Sequence, residues 1–234
     1  MKKSILILAG VFSMLTAHSQ VIETDNSRTI TESREIGAFT KIDVTGPVAV
    51  SLVSGKGGSI MLEGDSNDLK QVTVKVNNGI LSIAANSKVL PGKDKIIAKV
   101  PFDMLTDINL TGAGSIYVKQ KVKNDVRIYL DGSGCVNLPV NANNAEAYVL
   151  GTGTIKVKGK AQNFKCRVIG SGKISAHSLD AGNVDALVSG SGDAGVQSRD
   201  TLTGRISGSG SIAFSGEPAK QDLRSTGSGV FTRF

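Results

Sequence analysis

The sequence predicts an all-β protein whose second half is a right-handed parallel β-helix, or solenoid, with coils of about 19 residues. Gly-x-Gly pairs begin at Gly112, Gly132, Gly151, Gly170, Gly190, Gly208 and Gly227, at intervals of 20, 19, 19, 20, 18 and 19 residues. On both sides of each pair, apolar residues alternate with polar ones, the period of a half-buried strand. The composition agrees: 28 Gly, no Trp and 4% aromatics suit tightly turned strands with small side chains.

Aligning the repeats on the first glycine of each pair exposes the core. Position −2 holds Leu110, Leu130, Val149, Val168, Val188, Ile206 and Ser225. Position −4 holds Ile108, Ile128, Ala147, Cys166, Ala186, Gly204 and Leu223, and position +4 holds Ile116, Val136, Ile155, Ile174, Ala194, Ile212 and Phe231. Positions −6 and +6 follow the same rule, so these columns face inward. Each coil is then a strand, a glycine bend, a second strand and a polar corner. One such coil cannot bury its apolar face alone. Stacking coils about 4.8 Å apart hydrogen-bonds each strand to its equivalent and joins the apolar faces into one core. Equivalent segments run the same way, so the stack is parallel, and the crossover rule favours the right hand.

Ahead of Gly112 the pattern is β but irregular. Phe39 to Val53 reads as strands broken at Gly46-Pro47, followed by strands at Ser59–Glu63, Gln71–Val76, Ile80–Ala84 and Ile96–Val100. Asn77-Asn78-Gly79 is a tight hairpin turn. Residues 36–105 therefore form either an irregular cap or a small antiparallel lobe, and residues 106–234 the repeats. Residues 20–35 are polar and read as a flexible lead-in.

Residues 1–19 read as a signal peptide: Lys2 and Lys3, an apolar run from Ile5 to Leu15, then Ala17-His18-Ser19 as a cleavage site. The run is too short to span a bilayer, and no later segment is long enough. Export to the periplasm, the outer-membrane surface or the medium follows. Removing residues 1–19, with two Lys and no acid, lowers the formal charge from +7 to +5. The charges are dispersed, so no nucleic-acid partner is implied.

The segments Phe39-Thr-Lys-Ile-Asp-Val-Thr-Gly46, Leu62-Glu-Gly-Asp65, Val76-Asn-Asn-Gly-Ile-Leu81 and Val100-Pro-Phe-Asp-Met-Leu105, followed by Gly-Ser-Gly repeats, carry a family resemblance. Together they resemble the "putative auto-transporter adhesin, head GIN domain" family of exported proteins from Bacteroidetes-like bacteria, over about Ile36 to Phe234. The resemblance implies a parallel β-helix and an adhesin-like role, and brings no catalytic residues with it. No translocator barrel follows the repeats, so a complete autotransporter is not expected.

No residue pattern demands chemistry. His177 is the only histidine after residue 19, and a Ser-His-Asp site needs a presented nucleophile and an acid beside it. Cys166 falls in an inward column and Cys135, at position +3, faces out; opposed faces disfavour a disulfide. Ligands for zinc are too few. Gly190-Ser-Gly-Asp193-Ala-Gly195 is similar to a calcium-binding β-roll turn, but its Asp occurs in one coil only. A phosphate cradle needs a helix after the glycines, and strands follow here. No cofactor or metal is expected.

Two outward columns remain. Position −5 holds Asp107, Arg127, Glu146, Lys165, Asp185, Thr203 and Asp222, whose alternating signs would pair neighbouring coils. Position −3 holds Asn109, Tyr129, Tyr148, Arg167, Leu187, Arg205 and Arg224. Within it, Tyr129, Tyr148, Arg167, Arg205 and Arg224 are the candidate ligand residues, offering rings to sugars and guanidiniums to acidic groups; the plain alternative is an ordinary exposed ladder. The function that fits is non-enzymatic, adhesin-like binding or scaffolding at the cell envelope, with a surface glycan or an envelope protein as partner. The alternative is a carbohydrate-active, polysaccharide lyase-like β-helix enzyme, a reading by fold analogy. The solenoid ends expose strand edges, which would favour a homo-oligomer.

Overall fold

A computed structural model describes residues 29–86 and 96–234. The expected signal peptide lies outside the described residues. The chain is a β-solenoid of stacked parallel coils, and its apolar columns form one continuous core from Phe39 to Phe214.

The repeats run through β8 (Asp107–Gly112), β9 (Ser115–Val118), β10 (Val126–Gly132), β11 (Cys135–Gly151), β12 (Thr154–Gly170), β13 (Lys173–Gly190), β14 (Asp193–Gly208), β15 (Ser211–Ser215), β16 (Lys220–Thr226) and β17 (Val230–Arg233). The segments before the bends stack in register, with Leu110, Leu130, Val149, Val168, Val188 and Ile206 as one inward file. We call this side face A. The segments after the bends stack as face B, with Ile116, Val136, Ile155, Ile174, Ala194 and Ile212 as its inward file. Coils of unequal length keep both faces aligned, because the register shifts of β12–β13 and β13–β14 fall between them, at Lys156/Lys158 and from Ala176 to Asn183.

The two glycines of each bend are needed for different reasons. Gly151 has φ +106°, which L side chains rarely adopt. Gly153 has no such φ, but a Cβ there would stand 2.8 Å from the Gly134 carbonyl oxygen of the preceding coil. That close approach lets the Thr152 and Gly153 amides both donate to the Gly132 carbonyl, at 2.9 and 2.8 Å.

The N-terminal strands extend the stack out of chain order. β2 (Lys41–Thr45) pairs in parallel with β8 on one side and with β6 (Ile80–Ala85) on the other. β3 (Val48–Ser54) likewise lies between β9 and β7 (Ile96–Phe102). The β2–β3 segment is thus a coil of its own: Gly46, at φ +91°, stands above Gly112, and its amide donates to Thr111 O at 3.0 Å. Antiparallel strands cover the layer above. β5 (Val72–Asn77) pairs with β6 across the Asn78-Gly79 turn, where both residues have positive φ. β4 (Ser59–Asp65) pairs with β7, and β1 (Thr29–Glu35) pairs with β4.

The lead-in expected over 20–35 is therefore corrected in its second part, since Thr29–Glu35 is a strand. Its alternate residues turn half-buried toward the cap. Arg34 anchors it by donating to Leu69 O at 2.9 Å, at the end of the single helical turn α1 (Ser66–Leu69), and to Val72 O at 2.6 Å.

The far end closes differently. In the last coil the −6 and −2 columns become Gln221 and Ser225, both exposed, while Leu223 and Phe231 pack against the core. Gly204, one coil earlier, leaves the room they fill.

Candidate functional site

Face A places the −3 column as one ladder: Asn109, Tyr129, Tyr148, Arg167, Leu187, Arg205 and Arg224 are successive partners. Its polar heads are largely engaged within the protein. Arg167 grips Asp185 of the next coil with both terminal nitrogens, at 3.1 and 2.5 Å, and also donates to Asp185 O at 2.9 Å. Arg205 holds Asp222 with one nitrogen on the carboxylate, at 2.5 Å, and the other on the backbone carbonyl, at 2.8 Å, and Arg224 approaches that carboxylate from the other side at 3.1 Å. Tyr148 donates to Glu146 Oε2 at 2.6 Å. That hydroxyl foremost, and then Arg127, holds Glu146 below the usual carboxylate range; burial, and then the carboxylate, push Tyr148 up. Tyr129 keeps an exposed ring. The column is thus assembled, but three guanidiniums point at acids of this chain rather than outward to a ligand.

The −5 charges interlock along the stack, and the inserted coil adds a member. Lys41 Nζ lies 3.4 Å from Asp107, and Arg127 bridges Asp107 and Glu146 at 3.8 and 3.4 Å. Lys41 belongs to this file only because β2 sits against β8.

Beside these charges runs a column that the sequence analysis did not single out. Position −7, where the chain turns into face A, holds Asp125, Asn144, Asn163, Asn183 and Thr201 in successive coils. The carboxamides form a chain. Asn183 Nδ2 donates to Asn163 Oδ1 at 3.0 Å, Asn163 Nδ2 to Asn144 Oδ1 at 3.0 Å, and Asn144 Nδ2 to Asp125 Oδ2 at 2.6 Å. The Asn144 amide also donates to Asp125 Oδ1 at 2.8 Å. These bonds, the side-chain one first, hold the Asp125 carboxyl below its ordinary range. The signal was present in sequence as three asparagines at one offset from the glycines.

Two adjoining cavities open along this edge. One, of about 420 Å³, is lined by residues including Lys41, Asp107, Asp125, Arg127, Asn144 and Glu146. The other, of about 370 Å³, is lined by residues including Asn163, Lys165, Asn183, Asp185, Thr201 and Thr203. Asn144 and Glu146 line both, so the two make one groove crossing several coils.

A family model described as "Putative auto-transporter adhesin, head GIN domain" matches residues 38–218. The chain belongs to this family. Solved structures share the head GIN fold. A Bacteroides fragilis NCTC 9343 protein described as a "putative adhesin" superposes with a TM-score of 0.81 at 23% identity, over 88% of this chain and 97% of that one. A Parabacteroides distasonis ATCC 8503 protein described as a "putative lipid binding protein" gives 0.73 at 23% identity, over 89% and 98%. A Parabacteroides merdae ATCC 43184 "putative adhesin" gives 0.68 at 21% identity, over 89% and 97%. No curated protein matches the chain.

Elsewhere on this head GIN domain the remaining sequence candidates stand apart from the groove. His177 is exposed on face B; its ring lies over Gly195 and meets the edge of Phe234 with centroids 4.8 Å apart. Cys166 is buried, and burial pushes its thiol up to about 12; Cys135 is half-buried, and both are free thiols. Among the described residues, no three His, Cys, Asp or Glu side chains are grouped to hold a metal ion, and no helix is long and apolar enough to cross a membrane.

Proposed function

We propose that this protein is an exported, adhesin-like module that binds a surface glycan without turning it over, and that the groove along the first edge of face A is where it does so. The observation that carries this is the shared wall of the two cavities at Asn144 and Glu146, which makes the groove long in the direction of the stack. Hydrogen-bonding groups recur there once per coil, about every 4.8 Å, as suits a chain ligand of repeating hydroxyls. Family membership supports the adhesin-like part. The ionisable groups of the groove are mostly tied to one another, an arrangement for holding and not for proton transfer.

A glycan array probed with residues 20–234 tests the reading. Binding to at least one glycan is expected, and Asn144→Arg, which fills the shared wall with a long side chain, abolishes it. Failure to retain any glycan sinks the reading. New reducing ends or unsaturated products on incubation with polysaccharides would replace it with the enzymatic one.

A second reading rests on a different cavity, of about 320 Å³, lined by residues including Phe39, Lys56, Pro101, Phe102 and Met104. Its walls are mostly apolar, with Lys56 and Asp103 as the charged groups, and suit a short acyl chain whose head pairs with Lys56. Displacement of a fluorescent fatty acid, lost in Met104→Glu, would support it; no uptake of the probe would end it.

A further inference from the structure

We infer that the carboxamide chain is polarised by Asp125, and that its open end at Asn183 makes the second cavity a subsite for the donor hydroxyls of an uncharged saccharide. This deepens the proposed function and rests on it. A carboxylate at neutral pH only accepts hydrogen bonds. Asp125 therefore turns the Asn144 Nδ2 toward itself, at 2.6 Å, which leaves Asn144 Oδ1 facing the next coil. Asn163 must then present Nδ2 to Asn144, and Asn183 must present Nδ2 to Asn163, both at 3.0 Å. Each amide fixes the next, and polarised chains of this kind strengthen one another.

The chain ends without a partner. Thr201 follows Asn183 in register, but no hydrogen bond joins them among the described residues, so Asn183 Oδ1 is an open acceptor in the cavity wall. Around it stand the hydroxyls of Thr201 and Thr203 and the Lys165 ammonium. Lys165 makes no ion pair within 4 Å among the described residues. Asp185, its register partner in the next coil, is held by Arg167.

This inventory selects a ligand class. An anionic sugar would face Glu146, Asp185 and a carboxamide oxygen, with only Lys165 in its favour. A neutral sugar can donate to Asn183 Oδ1 and accept from Lys165. No exposed aromatic ring lines the cavity, so recognition proceeds through hydrogen bonds and not ring stacking. Asp125 lies three coils away, about 14 Å at the coil spacing, and acts as a positioning residue.

The test is calorimetric titration of residues 20–234 with cellohexaose, mannohexaose and laminarihexaose, against hexagalacturonate. At least one neutral hexasaccharide is expected to bind about 10-fold tighter than hexagalacturonate, and Asn183→Ala to weaken it about 5- to 10-fold. Asp125→Lys places a donor where the acceptor stood, so the amides reverse, Asn183 presents Nδ2, and the preference for the neutral sugar narrows or inverts. Asp125 touches Asn144 at the rim of the second cavity but neither Asn183, Thr201 nor Thr203, so the reversal reaches them along the carboxamides. Side-chain amide NMR gives a readout that needs no ligand: Asp125→Ala should speed exchange of the Asn144 Nδ2 protons with water. Tighter binding of hexagalacturonate, or a preference unmoved in Asp125→Lys, overturns the inference. Neutral-sugar binding that ignores Asn183→Ala but falls in Arg127→Ala, in the first cavity, overturns the subsite and leaves the proposed function standing. No binding by any neutral hexasaccharide overturns the subsite, and a glycan array without a hit then removes both.

Discussion

Phe231 occupies the space that a side chain on Gly204 would need: a Cβ on Gly204 would stand 2.7 Å from Phe231 Cε1 and 2.8 Å from Leu223 Cδ2. The glycine lets two large side chains of the last coil fold up and seal the core. Gly204→Ala should therefore lower stability by about 1–3 kcal/mol through overpacking. Urea unfolding of residues 20–234 checks it, and Gly204→Ala combined with Leu223→Ala should recover part of the loss.

The bends predict a contrast between glycines. Gly151→Ala must hold φ near +106° and meet the Gly132 carbonyl oxygen at 2.8 Å, so it should cost at least about 1–3 kcal/mol. Gly57→Ala, where a Cβ meets nothing within 4 Å and φ is ordinary, should be nearly neutral. Thermal melts of the two variants separate these outcomes.

Glu146 and Tyr148 predict both limbs of a pH profile. The folded-state pKa of Glu146 is lowered, so its stabilisation is present above the ordinary carboxylate value and is lost as pH falls below about 4. That of Tyr148 is raised, so its stabilisation is complete below about pH 10 and is lost as pH climbs through the higher folded value. Denaturant midpoints measured from pH 3 to 11 should show both falls, with Tyr148→Phe flattening the alkaline one and shrinking the acid one.

Arg167 and Asp185 form a bidentate pair whose arginine side chain is 19% exposed and whose aspartate is 47% exposed. Solvent screening keeps such a pair modest, at about 0.5–1 kcal/mol in a double-mutant cycle. Arg167→Lys should lose most of it, because an ammonium cannot make the paired contact.

The thiols should differ sharply in reactivity. Cys135 is expected to label with iodoacetamide in the native protein, whereas Cys166, buried with its thiol near 12, should label only on unfolding. Mass spectrometry of native and urea-treated samples distinguishes them.

Much of the fold was legible because the glycines mark a repeat and the alternation marks its inward side. The inward positions from Leu110 to Ile206 needed nothing more. The β2–β3 coil was not legible as a coil: Gly46 lies 66 residues before Gly112, which is no multiple of the period, and only pairing across that distance puts Lys41 beside Asp107. β1 was missed because Thr29 to Glu35 has a single apolar residue, Ile30, too few to show an alternation, and Arg34 on the same side reaches the end of α1 and Val72. In the candidate site, the −3 ladder was legible as a ladder. That Arg167 and Arg205 turn toward acids in the following coil depends on side-chain reach between coils, which spacing does not encode. The asparagine column was legible but lay in the polar corner, where no alternation drew attention to it.

The insertion of β2–β3 between strands that follow it in the chain has a mechanical consequence. That coil is gripped by parallel ladders above and below, so once β1 has parted from β4, tension passed on to β2 must shear two interfaces before the coil yields. Among the described residues the last coil is held on one side only, by β14 and β15. Under load the molecule should therefore fray from Phe234 backwards, one rung at a time, while the end that carries the cap acts as a lock.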